Sequence, residues 1–101
     1  MVFAPAPPPA RVQIVATEFS FALSRRVVRA GRVVVELVNA GEDAHDASLR
    51  RIGGTRSITL PTVQPGEHED RELRLHRGRY RIVCTIGDHR ERGMTAVLVV
   101  R

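Results

Sequence analysis

A single cysteine excludes an internal disulfide. No apolar run approaches the roughly eighteen residues that a membrane-spanning helix needs. The first residues lack the basic start and long apolar stretch of a signal peptide. Aromatic residues make up only 4% of the chain. That leaves little for the stacking platforms on which β domains hold single-stranded nucleic acid, so a basic nucleic-acid-binding β domain is disfavoured despite a formal net charge of +5. Lysine is absent, and all 16 basic residues are arginine. Many of them alternate with apolar residues, as Arg79 and Arg81 do around Tyr80, which is the pattern of a solvated outer face. No segment has a helical period with caps.

What remains is a chain of 101 residues, 43% hydrophobic, the size of one domain with a core that needs no staples. Residues 1–10, MVFAPAPPPA, are Pro/Ala-rich and are expected to be extended, as a linker or trimmed leader. They would suit a tether from a membrane anchor. Residues 11–101 are expected to form a single domain. Short β-branched and apolar segments follow one another, among them Arg11–Glu18, Arg32–Val38, Arg79–Cys84 and Thr95–Val100, with Ala30-Gly31, Pro65-Gly66 and Arg77-Gly78 as turns. Arg32–Val38 is so continuously apolar that burial on both faces is expected. Ser57–Leu60 is expected to end at Pro61. About eight such strands point to an all-β antiparallel sandwich or barrel.

The chemistry concentrates in Cys84-Thr85-Ile86-Gly87-Asp88-His89-Arg90-Glu91-Arg92-Gly93-Met94. By the period of two, Tyr80, Ile82 and Cys84 share one strand face, so the sulfur points inward. The chain then loops through His89 and returns at Met94, which opens the last strand. Such a loop brings a thiolate, an imidazole and a thioether around one point, and His45 offers a second imidazole from the start of an alternating strand. Taken singly, Cys84 and Met94 would be ordinary core residues and His45 a hydrogen-bonded core or loop histidine. Taken together, two His, one Cys and a weak Met form the donor set of a blue-copper site. Structural zinc sites prefer paired Cys or His without Met. A cysteine nucleophile buried on a strand face would be poorly reactive. His68 and His76 stand by turns among charges and are expected to be solvated.

The sequence resembles the cupredoxins at Phe19-Ser20-Phe21, at Val38-Asn39-Ala40-Gly41 leading to His45, at Val63-Gln64-Pro65-Gly66-Glu67, and from Gly78 through the Cys84–Met94 loop. Four residues separate Cys84 from His89 and four separate His89 from Met94, a spacing most like auracyanin and rusticyanin. The resemblance implies an eight-stranded Greek-key β-sandwich holding one type 1 copper, with His45, Cys84 and His89 equatorial and Met94 axial. It implies that the backbone N–H of Asp46 reaches the Cys84 sulfur. It also implies that the Asp46 side chain, standing where Asn is usual, ties to Thr85. Ala44 stands where Pro is common. Gly87-Asp88 replaces a frequent Pro-Gly, so the ligand loop is expected to be less rigid.

The function expected is one-electron transfer between larger redox proteins, by a monomer and not by an enzyme, outside the cytoplasm in the periplasm or on the outer face of the cytoplasmic membrane. An acidic partner is expected to dock over His89, with Ile86, Gly41 and Gly93 forming an apolar patch and Arg90 and Arg92 a positive rim. The other readings are a copper carrier delivering the ion to an oxidase and a cupredoxin module of a larger copper enzyme.

Overall fold

The computed structural model describes residues 5–101. The expected linker or leader over residues 1–10 falls partly outside them. Its described part, Pro5–Pro9, is in no strand, and the Pro8 carbonyl accepts a hydrogen bond from Arg29. Nine strands follow: β1 (Ala10–Thr17), β2 (Ser20–Leu23), β3 (Val27–Val28), β4 (Gly31–Asn39), β5 (His45–Arg51), β6 (Ser57–Val63), β7 (His68–Leu75), β8 (Gly78–Val83) and β9 (Thr95–Val100). They form a four-stranded sheet, β2-β1-β4-β7, and a five-stranded sheet, β3-β9-β8-β5-β6. Both are mixed and not antiparallel throughout as the sequence suggests, because β1 pairs with β4 and β3 with β9 in parallel. The molecule is an all-β sandwich of nine described strands against about eight expected, with the two-residue β3 at an edge.

The core follows the period of two on each strand. Val12, Ile14 and Ala16 of β1 point inward with Val33, Val35 and Leu37 of β4, against Leu49, Ile82 and Leu98 of the other sheet. Two further sequence expectations change. The apolar run of β4 is not buried on both faces: Val34, Glu36 and Val38 are only partly covered, because among the described residues no layer packs over the outer face of the four-stranded sheet. Pro61 does not end its strand, since β6 runs on to Val63. β6 is an edge strand, where a missing N–H is tolerated. Pro61 also lies in a bulge, because His45 pairs with Val63 but Ala47 with Leu60. A bulge adds a residue to one strand and re-aims the side chains beside it, and this one falls at His45.

Candidate metal centre

Antiparallel pairing of β5 with β8 sets the start of one beside the end of the other. His45 opens β5, and Cys84 follows the last residue of β8. Both are fully buried, and Cys84 continues the inward face of Tyr80 and Ile82. The bulge stands immediately after His45. Behind it, buried Asn39 shapes the connecting loop by accepting from the Gly41 N–H and donating to the carbonyls of Asp43 and Val63.

The loop after Cys84 closes on its own backbone. The Met94 N–H donates to the His89 carbonyl, and the Cys84 N–H donates to the Met94 carbonyl at 3.3 Å. Met94 is fully buried and His89 is 7% exposed, so His89 barely reaches the surface. At Gly87-Asp88 the loop is tied by a side-chain pair and by backbone bonds. Asp88 pairs with Arg92 at 2.8 Å, and the Arg92 N–H bonds the Asp88 and His89 carbonyls. The Arg92 guanidinium holds the Asp88 carboxyl below its usual range.

His45, Cys84 and His89 converge, with one donor atom of each within 4.8 Å of the others. His45 Nδ1 lies 3.9 Å and His89 Nδ1 3.5 Å from Cys84 Sγ. The two rings stand 5.0 Å apart. Nitrogen and sulfur donors bound at typical lengths around one ion in a trigonal arrangement stand about 3.8 Å apart, so the three groups fit one metal ion per chain. A thiolate with two imidazoles is a donor set suited to copper. Without an ion, burial pushes the Cys84 thiol above its ordinary pKa, opposed by backbone N–H groups of Asp46 and Ile86 at the sulfur.

Around this centre stands a ring of polar contacts. Asp46 is buried, and its carboxylate accepts the Thr85 backbone N–H at 2.7 Å and the Thr85 hydroxyl. Two residues that sequence reasoning passed over touch the imidazoles. Glu18 Oε1 lies 3.0 Å from His45 Nε2 and accepts the N–H groups of Glu42 and Asp43 at 2.8 and 2.6 Å. Those bonds, that of Asp43 foremost, lower the Glu18 carboxyl to a pKa of about 2. Phe19 stacks at a tilt on His89, with ring centroids 5.0 Å apart. Both belong to the two-residue turn between β1 and β2. A motif search centred on the cysteine has no reason to reach a turn so far upstream, and the only sequence signal was the Phe19-Ser20-Phe21 segment.

The remaining candidates lie apart. His68 is exposed on the four-stranded sheet, 3.6 Å from Glu36 and 3.5 Å from Asp70, and His76 is exposed beside the β7–β8 turn. The expected positive rim of His89 is divided. Arg92 lies over the Phe19 ring at 5.0 Å and is paired with Asp88, while Asp43 approaches His89 Nε2 at 3.5 Å. Arg90 instead lines a groove of about 580 Å³ with Arg50, Arg51, Arg81 and Thr85.

A β-sandwich with a buried His-Cys-His cluster at one end defines an architectural class, all-β folds that carry a candidate metal site where strand ends meet. Solved structures make the class specific: the chain has the cupredoxin fold. It superposes on auracyanin A, a "blue" copper protein from Chloroflexus aurantiacus, with a TM-score of 0.75 at 18% identity, covering 93% of this chain and 100% of that one. Rusticyanin from Thiobacillus ferrooxidans matches with a TM-score of 0.70 at 16% identity, over 93% of this chain and 79% of that one. A purple cupredoxin from Nitrosopumilus maritimus matches with a TM-score of 0.64 at 16% identity, over 88% and 98%. No family model and no curated protein matches the sequence.

Proposed function

We propose that this chain is a type 1 copper protein that carries one electron between larger redox partners. His45, Cys84 and His89 would hold the ion, with Met94 as a further, weaker ligand. The observation that carries this reading is the approach of two buried imidazole Nδ1 atoms to one buried thiol, at 3.9 and 3.5 Å. Copper supplies the one-electron couple. The chain's own part is to present three fixed donors, to exclude water from them and to hold them still. Backbone bonds from Met94 to both Cys84 and His89 favour a loop that changes little between oxidation states. The reading treats residues 11–101 as one working domain and involves no catalytic residue. Addition of Cu(II) should produce an intense visible sulfur-to-copper band at one copper per chain, lost in Cys84→Ser. A colourless wild-type protein under oxidising, copper-replete conditions would overturn the assignment.

The partner fits an acidic docking face. Arg50 and Arg81 stand directly opposite each other across β5 and β8, a like-charge pairing that disfavours the free fold. With Arg51 and Arg90 they surround a groove whose lining holds no carboxylate. Thr85 and Arg90 on its wall are the chain neighbours of Cys84 and His89, so an acidic surface seated there lies one residue from two of the proposed ligands. Of the two docking places that the sequence suggests, a rim of Arg90 and Arg92 or the neighbourhood of Arg50, Arg51 and Arg56, this reading favours the second and adds Arg90 to it. The resemblance to cupredoxins puts such a carrier outside the cytoplasm, which fractionation of the host cell tests.

A further inference from the structure

A metal-binding imidazole must offer an unprotonated nitrogen, and which nitrogen that is depends on what the other one meets. His45 is fully buried, so solvent does not make the choice. Nδ1 faces the Cys84 sulfur at 3.9 Å, and Nε2 faces Glu18 Oε1 at 3.0 Å. An ionised carboxylate only accepts hydrogen bonds. Nε2 therefore carries the proton, and the lone pair on Nδ1 is directed at the centre.

The same Glu18 oxygen is itself held. It accepts the backbone N–H groups of Glu42 and Asp43. Its carboxyl also occupies the space beside Gly41, where a Cβ would come within 2.6 Å of it. The side chain is thus clamped by the loop that leads into His45, and its place against the imidazole does not depend on the imidazole alone.

We propose that Glu18 is a positioning residue for copper: its carboxylate fixes the Nε2–H tautomer of His45 and, by accepting that proton, makes Nδ1 a stronger donor to Cu(II). Partners of this kind orient a metal-bound histidine and raise its basicity, and their loss typically costs about 10–100-fold in metal affinity. A bound imidazole enriched in electron density favours Cu(II) over Cu(I), so Glu18 lowers the reduction potential. The inference rests on copper as the metal and on His45 as a ligand, but its first half concerns the metal-free protein as well.

Two variants separate the roles. Glu18→Gln keeps an oxygen acceptor for the loop N–H groups and for His45 while removing the charge. Glu18→Ala removes both. The first readout is the nitrogen NMR spectrum of His45 in the apo protein at mildly alkaline pH. Wild type should show a protonated Nε2 and a bare Nδ1, and Glu18→Ala should lose that preference. The second is copper titration with measurement of potential. Glu18→Ala should bind Cu(II) about 10–100-fold more weakly. Glu18→Gln should stay close to wild-type affinity and show a higher potential. A wild-type His45 protonated on Nδ1 overturns the proposal whatever the metal. So does a Glu18→Gln protein with the wild-type potential, and this variant decides if Glu18→Ala does not fold. Failure of the wild-type protein to take up copper, with the Nε2–H tautomer intact, would overturn the copper reading and the donor-strength half of the proposal while supporting the tautomer half.

Discussion

Asp46 binds Thr85 twice, through the backbone N–H and through the hydroxyl. The two residues follow His45 and Cys84 in the chain, so the pair ties the strand bearing one proposed ligand to the loop leaving another. Asn in place of Asp46 keeps an oxygen for the N–H and turns an amide donor toward the hydroxyl, which also accepts. Asp46→Asn should therefore leave thermal stability nearly unchanged while raising the reduction potential, because a negative charge beside the metal is removed. Asp46→Ala leaves both Thr85 groups without their acceptor and should cost about 1–3 kcal/mol. Thermal melts and voltammetry of the two variants check this.

Copper should stabilise the fold without being needed for it. Cys84 and Met94 share the core with Ile14, Val35, Leu49, Leu98 and other apolar side chains that need no metal to pack, so the apo protein should retain β-sheet circular dichroism. Binding to the native state alone contributes about 2.7 kcal/mol at a free concentration of 100 times Kd. In a domain of this size that corresponds to a rise in Tm of roughly 10–20 °C. An apo protein without β-sheet signal would contradict the expectation.

If Met94 is the weak ligand proposed, Met94→Leu should retain the charge-transfer band and raise the potential, since such a donor tunes the couple more than it holds the ion. The backbone bonds of Met94 to Cys84 and His89 are unaffected by the change, which isolates the thioether. Complete loss of copper would make Met94 a principal ligand instead.

Electron transfer to an acidic partner should slow as salt rises, because screening weakens attraction between unlike charges. Replacing Arg81 and Arg90 together by Gln should flatten that dependence. Arg92→Gln should change it little, since Arg92 already pairs with Asp88. Stopped-flow rates against ionic strength distinguish the two sets. The reverse ranking would return the docking surface to the His89 rim.

The parts of the structure that could be read from the sequence were those written at short range. The period of two in Tyr80, Ile82 and Cys84 placed the thiol inside, and the Cys84–Met94 spacing marked a loop between strand ends that brings His89 back to Cys84. What escaped depends on which strands become neighbours. Glu18 reaches His45 because β1 lies beside β4, a parallel pairing that no local pattern announces. Pro61 stays within a strand because β6 is at an edge and bulged. Arg90 and Arg92, two positions apart, face different surroundings because the loop winds into a tight turn between them. Charge counts along the chain carry no trace of that divergence.

The Glu18-Phe19 turn belongs to the four-stranded sheet, whereas His45 and the His89 loop are anchored in the five-stranded one. Glu18 grips one imidazole and Phe19 covers the other, so the centre works as a clasp across the seam of the sandwich. Sliding one layer over the other would pull both braces from both rings at once, before any strand had melted. The colour of a loaded centre would then register the closure of the two layers, and during gentle heating it should fade ahead of the β-sheet signal.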